Sequence, residues 1–188
     1  MELVSDMHTS WSIYKMGVFN EMLSEHPQAK QDQKLFSDLV AKYSLGDWGW
    51  NWLDKAIHLN HDEYVWIFLV AEEKVQAASI IYHPKTSRFD GEKIFYIDYL
   101  ATANWNRPRP NFSKQFSTLG TKLIAFSIDY AMNTLGYRPG FSLHSLPDAE
   151  SFYSKLGMTA FEKDREKENL MYFEADVEAS QNILGLVQ

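Results

Sequence analysis

The stretch that decides the fold is Ile94-Phe95-Tyr96-Ile97-Asp98-Tyr99-Leu100-Ala101-Thr102, which carries a single carboxylate, Asp98. Both of its faces are apolar, which predicts a strand in the middle of a sheet. A polar loop follows and ends in Gln115-Phe116-Ser117-Thr118-Leu119-Gly120-Thr121-Lys122, which opens an amphipathic helix. Small residues at a helix N-terminus after a strand favour pyrophosphate binding, because the N–H groups of the first turn lack intrahelical partners.

The segments on either side of this stretch complete an α/β pattern. Helical spacing covers 10–45 and continues in a second helix to about residue 59, and the later helices are predicted at 119–136 and 147–156. Strands are predicted at 64–70, 75–82, 141–145, 159–161 and 170–175, the first two as a hairpin. The order predicts a mixed α/β (α+β) fold in a single domain, 1–188. Within it, helices occupy 10–60, the core occupies 64–176, and 177–188 form a loosely held tail.

Composition narrows the class of protein. The chain has 188 residues, of which 45% are hydrophobic and 23% charged, as in ordinary globular domains. A net charge of −7 argues against binding to nucleic acid or to anionic membranes. The absence of cysteine excludes disulfides and thiolate metal sites. The N-terminal residues lack the pattern of a signal peptide, so we expect a cytoplasmic protein with no membrane and no nucleic-acid partner.

A second motif follows the loop and gives the pattern a family resemblance. The motif is Phe152-Tyr153, then Lys155 two residues after the tyrosine, and then Leu156-Gly157 directly after the lysine. With the loop positions Gln115 and Gly120 and the acid Asp98, this order resembles the GCN5-related N-acetyltransferase (GNAT) superfamily over about residues 60–176. Three features depart from the family pattern: Thr118 stands at a loop glycine, the 102–115 connection is longer, and Leu146 stands near a usual asparagine.

The resemblance implies an acyl-CoA N-acyltransferase fold, with a mostly antiparallel sheet that splays between strands 94–102 and 141–145. It implies acetyl-CoA as a co-substrate and no metal. Pantetheine would pair with the backbone of Leu100, Ala101 and Thr102. The residues implied to bind the rest of the cofactor are Gln115, Ser117, Thr118, Leu119, Gly120, Thr121 and Lys122. The alternative for Ser117 and Thr118 is a simple helix cap without a ligand.

Two residues are candidates for proton transfer. Asp98, in an apolar strand, is expected to be buried, which would raise its pKa toward the range of a base for an ammonium. Its alternative role is a structural carboxylate, and water is the alternative base. Tyr153, in the resemblance, protonates the leaving thiolate; its alternative role is a core aromatic with one hydrogen bond.

Four further groups each have a functional and a structural interpretation. His58 and His61 suggest a metal site or a solvated helix end, and the latter is favoured. The Arg107–Pro110 loop suggests contact with the 3′-phosphate of coenzyme A or a solvated loop. The tryptophan cluster suggests the wall of an acceptor pocket or packing between helices; it consists of Trp48, Trp50 and Trp52. His144 suggests a pocket residue or a side chain that only fills space in the core.

The predicted function is therefore acetyl-CoA-dependent N-acetylation of a primary amine. Direct attack on the thioester is expected, because no cysteine can carry the acyl group. The expected partner is a small-molecule or peptide amine, bound on the side of helices 10–60 and the 104–114 loop, and a homodimer is also considered. The alternatives are a catalytically silent acyl-CoA-binding or protein-interaction module on the same fold, and an enzyme that uses a longer thioester.

Overall fold

The computed structural model describes residues 2–187, which fall into two compact units. The helical unit contains 2–60, 71–76 and 102–117. The sheet unit contains 61–70, 77–101 and 118–187. The assignment of the whole chain to one domain remains a prediction.

The helical unit contains three α-helices: α1 at Glu2–Glu25, α2 at Gln33–Lys42 and α3 at Trp52–His58. A 3-10 turn at Pro27–Lys30 separates α1 from α2, so the helix predicted over 10–45 is divided where Pro27 removes a backbone donor. Side chains cap the second and third helices: Asp32 accepts from the N–H of Leu35, and Asn51 from those of Leu53 and Asp54.

Six strands form one sheet: β1 at Tyr64–Ala71, β2 at Lys74–Thr86, β3 at Lys93–Thr102, β4 at Phe141–Ser145, β5 at Thr159–Asp164 and β6 at Leu170–Ala175. Their order across the sheet is β1-β2-β3-β4-β6-β5. β3 pairs with β4 in parallel, and β6 pairs with β4 and β5 in antiparallel fashion. The mixed α/β fold class and the predicted strands are confirmed, with ends shifted by a few residues.

The register places unlike side chains on the two faces of the middle strands. Successive residues of a strand point to opposite faces. One face therefore carries Phe95, Phe141 and Phe173, which are buried. The other carries a polar row of side chains, namely Tyr96, Ser142, His144, Tyr172 and Glu174. Asp98, two residues after Tyr96, lies on this second face as well.

Three helices complete the sheet unit: α4 at Leu119–Asn133, α5 at Glu150–Lys155 and α6 at Val177–Gly185. The expectation of a loose tail over 177–188 is wrong for residues 177–185, and Gln188 lies outside the described residues. The Asp176 carboxylate accepts from the N–H of Ala179, which starts α6. Ala179 and Ile183, four residues apart, are buried, and α6 packs against α4 and β6. Among residues 2–187, none of the helices combines the length and apolar character needed to cross a membrane.

Candidate active site

β3 and β4 separate partway along their length. Their parallel register runs from Phe95 opposite Phe141 to Ile97 opposite Leu143. β3 then continues to Thr102 and β4 to Ser145. The splay predicted between these strands is therefore present, and Asp98 is the first residue of β3 beyond the register.

Asp98 is half-buried, whereas the sequence predicted that it would be buried. The charge of Asp98 influences three phenols, namely Tyr64 of β1 and Tyr96 and Tyr99 of β3. In each, burial is the first cause of a raised pKa and the negative charge of Asp98 is the second. Asp98 is thus a half-buried carboxylate where the sheet opens, with tyrosines before and after it in β3.

The N-terminus of α4 has an unusual backbone. Thr118 is its N-cap residue and has φ of +59°, a left-handed conformation that a β-branched residue rarely adopts. Its side chain makes no capping hydrogen bond, so the simple cap interpretation does not apply to Thr118. The first helical bond runs from the Lys122 N–H to the Thr118 carbonyl, at 3.0 Å. The glycine expected from the resemblance would adopt this conformation without strain.

α5 packs directly on this helix start. A Cβ atom at Gly120 would lie 3.5 Å from Cζ of Phe152, an ordinary van der Waals contact. The backbone at Gly120 is therefore covered on one side by a ring. The neighbouring predicted cofactor residues differ in exposure: Leu119 is buried, Thr121 half-buried and Lys122 exposed.

The other predicted cofactor residues divide between the two units. In the sheet unit, Leu100 is half-buried and Ala101 buried at the end of β3. In the helical unit, Thr102 is half-buried, and its carbonyl accepts from Nε of Arg107 at 2.7 Å. Gln115 and Ser117 are exposed, and Gln115 Nε2 donates to Glu72 Oε2 at 2.6 Å.

Tyr153 lies in α5 and is buried between rings. Its ring centroid is 5.1 Å from that of Phe152 and 5.9 Å from that of Phe173. Burial alone raises the pKa of the Tyr153 phenol. The phenol therefore stays protonated at neutral pH, as a proton donor must, but its surroundings are equally those of a core aromatic residue.

Arg107 belongs to a buried ion-pair cluster within the helical unit. Its two terminal nitrogens donate to the two carboxylate oxygens of Asp47, at 2.6 and 2.7 Å. Lys15 Nζ lies 3.5 Å from the same carboxylate and donates to the Asp47 backbone carbonyl at 3.0 Å. Arg109 donates to the Tyr14 hydroxyl at 3.1 Å. The loop is thus anchored by both arginines, and the solvated-loop interpretation is wrong for Arg107.

The tryptophan cluster and the first two histidines have structural contacts. Trp52 is buried and meets Trp11 edge-on at 5.7 Å, which supports helix packing, whereas Trp48 is exposed. His58 Nδ1 lies 2.7 Å from the Asp54 carbonyl, as at a helix end. Over residues 2–187, no group of three or more metal-binding side chains occurs.

Sequence reasoning left His144 as either a pocket residue or a filler and did not predict its environment. The Tyr96 hydroxyl lies 2.8 Å from His144 Nδ1, and His144 Nε2 lies 3.2 Å from Asp164 Oδ2. Tyr96 and Asp164 were not recognised as candidates at all. The available signal was a histidine and a tyrosine in strands predicted to be neighbours. Neither strand's sequence, however, specifies the register in which the two strands pair.

No family model and no curated protein matches the chain. Solved structures that it resembles include the PaiA N-acetyltransferase of Thermoplasma acidophilum in complex with coenzyme A, at 14% identity and a TM-score of 0.45 over 93% of this chain and 90% of that one. A Desulfovibrio desulfuricans structure described as being of the GNAT family matches at 14% identity and a TM-score of 0.47, over 73% and 90%. These matches include the family that the motifs predict. They are remote, and they decide no activity or residue role.

The expectation that the protein has no nucleic-acid partner is wrong, because a nucleic-acid complex is among the structures that the chain resembles. The KacTA–DNA complex contains a chain that resembles this one at 17% identity and a TM-score of 0.47, over 71% of this chain and 84% of that chain. The physical reason is that net charge sums over the whole chain, whereas phosphates are bound by a local surface. The charge of −7 therefore does not exclude this class of partner.

Proposed function

We propose that the protein is an acetyl-CoA-dependent N-acetyltransferase that acts on a primary amine. The observation that carries the proposal is the end of the β3–β4 register at Ile97 and Leu143. Beyond it, Leu100 and Ala101 continue an extended strand whose backbone groups can pair with the pantetheine amides in place of a neighbouring strand. Asp98 lies at the point where this opening begins.

The start of α4 would bind the diphosphate of the donor. The amides of Leu119, Gly120 and Thr121 precede the first intrahelical bond, and the helix dipole favours an anion there by ~0.3–1 kcal/mol. Lys122 adds an exposed positive charge in the same turn. Gln115 and Ser117 are retained as predicted donor contacts.

In the proposed reaction the acceptor nitrogen attacks the thioester carbonyl carbon directly. Asp98 accepts the proton that the ammonium must lose before attack. The C–S bond breaks as the amide forms, and the thiolate takes a proton from the Tyr153 hydroxyl. The raised pKa of Tyr153 keeps its phenol protonated, and therefore able to donate, at neutral pH.

The strained backbone of Thr118 favours a second candidate function, acyl-CoA binding without turnover. A side chain in place of the loop glycine restricts how closely a phosphate can approach the backbone. Both functions require donor binding, and only the first requires thiol release.

Donor binding is tested by thermal unfolding with acetyl-CoA. A ligand at ~100 times its dissociation constant adds ~2.7 kcal/mol to the free energy of unfolding. Lys122→Glu should weaken this stabilisation, because it reverses a charge at the start of α4. Lys163→Glu, the same charge reversal at an exposed position on β5, is the matched control and should behave as wild type. If millimolar acetyl-CoA leaves the melting temperature unchanged, the donor assignment is wrong.

Turnover is tested by free-thiol release with a panel of primary amines. Amine-dependent release supports the transferase. A clear acetyl-CoA stabilisation with no release from any amine would instead favour the silent binding module.

A further inference from the structure

Three side chains from three strands stand in line on the polar face of the sheet unit. Tyr96 of β3 places its hydroxyl oxygen 2.8 Å from Nδ1 of His144 in β4. On the far side of the imidazole, Nε2 lies 3.2 Å from a carboxylate oxygen of Asp164 at the end of β5. The imidazole thus lies between a phenol and a carboxylate.

The contacts on its two sides favour one tautomer of His144. Burial, as the first cause, lowers its pKa, so the ring is neutral near pH 7. A backbone N–H donated by Glu166 lowers the pKa of Asp164, which is therefore ionised and can only accept. The neutral ring consequently carries its proton on Nε2, facing Asp164, and Nδ1 accepts from the Tyr96 hydroxyl.

The row formed by Tyr96, His144 and Asp164 extends from the interior toward solvent. The His144 side chain is 8% exposed and that of Asp164 is 31% exposed. The second contact has the distance of an ion pair, and within the described residues His144 Nε2 makes no hydrogen bond. The other groups facing the imidazole are Lys85 of β2, Lys167 beyond β5, and the Tyr172 ring, 5.1 Å away.

Tyr96, the inner end of this row, lies next to the candidate active site in the sequence of β3. Asp98 is two residues beyond Tyr96 on the same face of β3. The charge of Asp98 contributes, after burial, to the raised pKa of Tyr96. Tyr153, by contrast, has only burial as a cause of its raised pKa. Tyr96 therefore combines an acidic neighbour on its own strand with a proton acceptor on the next one.

We propose that Tyr96, His144 and Asp164 form a proton relay that takes up the acceptor's proton from Asp98 during the transfer reaction. The inference rests on the proposed acetyltransferase function. The ammonium gives a proton to Asp98, the Tyr96 oxygen receives it, and the Tyr96 hydroxyl proton passes to His144 Nδ1. Asp164 stabilises the resulting imidazolium. After the amide forms, the proton returns over the same atoms and is lost to water as the product leaves.

The relay predicts a specific change in pH dependence. His144→Gln keeps a polar side chain but cannot take up a proton. Its acceptor kcat/KM should fall about 10-fold or more near pH 7 and move toward the wild-type value as the pH rises to about 10, because a growing fraction of the amine is then already deprotonated. The KM for acetyl-CoA should not change. His58→Gln, which removes an exposed imidazole from α3, is the matched control.

A double-mutant cycle separates a relay from independent structural contacts. Tyr96→Phe breaks the chain at its first step and should give the same pH profile as His144→Gln. The double variant should lose no more than either single variant, because one broken link stops the relay. If His144→Gln unfolds, Asp164→Asn at the exposed end serves instead and should show a smaller loss in the same pH range.

The outcomes distinguish this inference from the proposed function. If wild type releases no thiol with any amine, the proposed function fails and the relay with it. If wild type turns over while His144→Gln, or Asp164→Asn in its place, keeps the wild-type pH–rate profile, the relay alone is wrong. Additive losses in Tyr96→Phe and His144→Gln would also overturn it.

Discussion

The buried cluster around Asp47 gives the sharpest stability prediction. Asp47 is 4% exposed, and the side chains of its partners Lys15 and Arg107 are 8% and 12% exposed. Asp47→Asn keeps the size of the side chain but removes its charge. Two buried cations would then lose their only acidic partner in the cluster.

Removing one partner of a buried ion pair costs about 3–5 kcal/mol, because the remaining charge stays desolvated without compensation. For a chain of this length, 1 kcal/mol corresponds to about 2–4 °C in melting temperature. We therefore expect Asp47→Asn to melt about 6–20 °C below wild type. The hydrogen bond from Lys15 to the Asp47 backbone carbonyl is kept in this variant. We therefore expect a fall in melting temperature in the lower part of this range.

The matched control is a second arginine–carboxylate pair that is exposed. Arg88 pairs with Glu162, whose side chain is 69% exposed. Glu162→Gln should cost under about 1 kcal/mol, because water screens the pair. Thermal unfolding followed by circular dichroism measures both variants. Equal, small shifts for Asp47→Asn and Glu162→Gln would refute the assignment of a stabilising buried cluster.

The pH dependence of the same pair follows from the Asp47 pKa. Burial raises this pKa, but Arg107 and then Lys15 outweigh it, so the folded value lies below the ordinary 3.8. A lowered folded pKa adds stability above the unfolded pKa and loses it as pH falls through the folded pKa. The stability difference between wild type and Asp47→Asn should therefore be full at pH 7 and shrink below about pH 4.

Three further changes test the candidate site. Thr118→Gly should raise the free energy of unfolding by about 0.5–1 kcal/mol, since release of left-handed strain outweighs the added chain entropy; a lower melting temperature would show that the threonine side chain has a stabilising contact. Tyr153→Phe should lower turnover about 10²-fold or more with acetyl-CoA affinity nearly unchanged, and turnover within two- or threefold of wild type would make Tyr153 a core residue. Asp98→Asn should depress turnover most at low pH with little change in melting temperature, whereas a stable variant with an unaltered pH–rate profile would leave water as the base.

Local patterns predicted most of the secondary structure. The 64–82 hairpin, the central strand and the helix from Leu119 are present because alternation, apolar runs and small residues at a helix start are local signals. The C-terminal helix α6 was not predicted, although the capping residue Asp176 and the four-residue spacing of Ala179 and Ile183 are ordinary helix signals.

Contacts between distant segments could not be predicted in the same way. Asp47 and Arg107 are sixty residues apart, and nothing in either segment specifies the pair. Tyr96 and His144 meet only because β3 and β4 pair in one parallel register. A shift of one residue would turn His144 to the opposite face, so this part of the site depends on tertiary packing.

The strand order also constrains how the sheet is assembled during synthesis. β6 is made last, yet it lies between β4 and β5. A nascent chain that stops before Leu170 therefore presents β4 with an open edge and β5 with no neighbour. Such edges readily pair with other chains. In the interval between translation of β5 and insertion of β6, the nascent chain therefore carries two unpaired strand edges at which another chain could add.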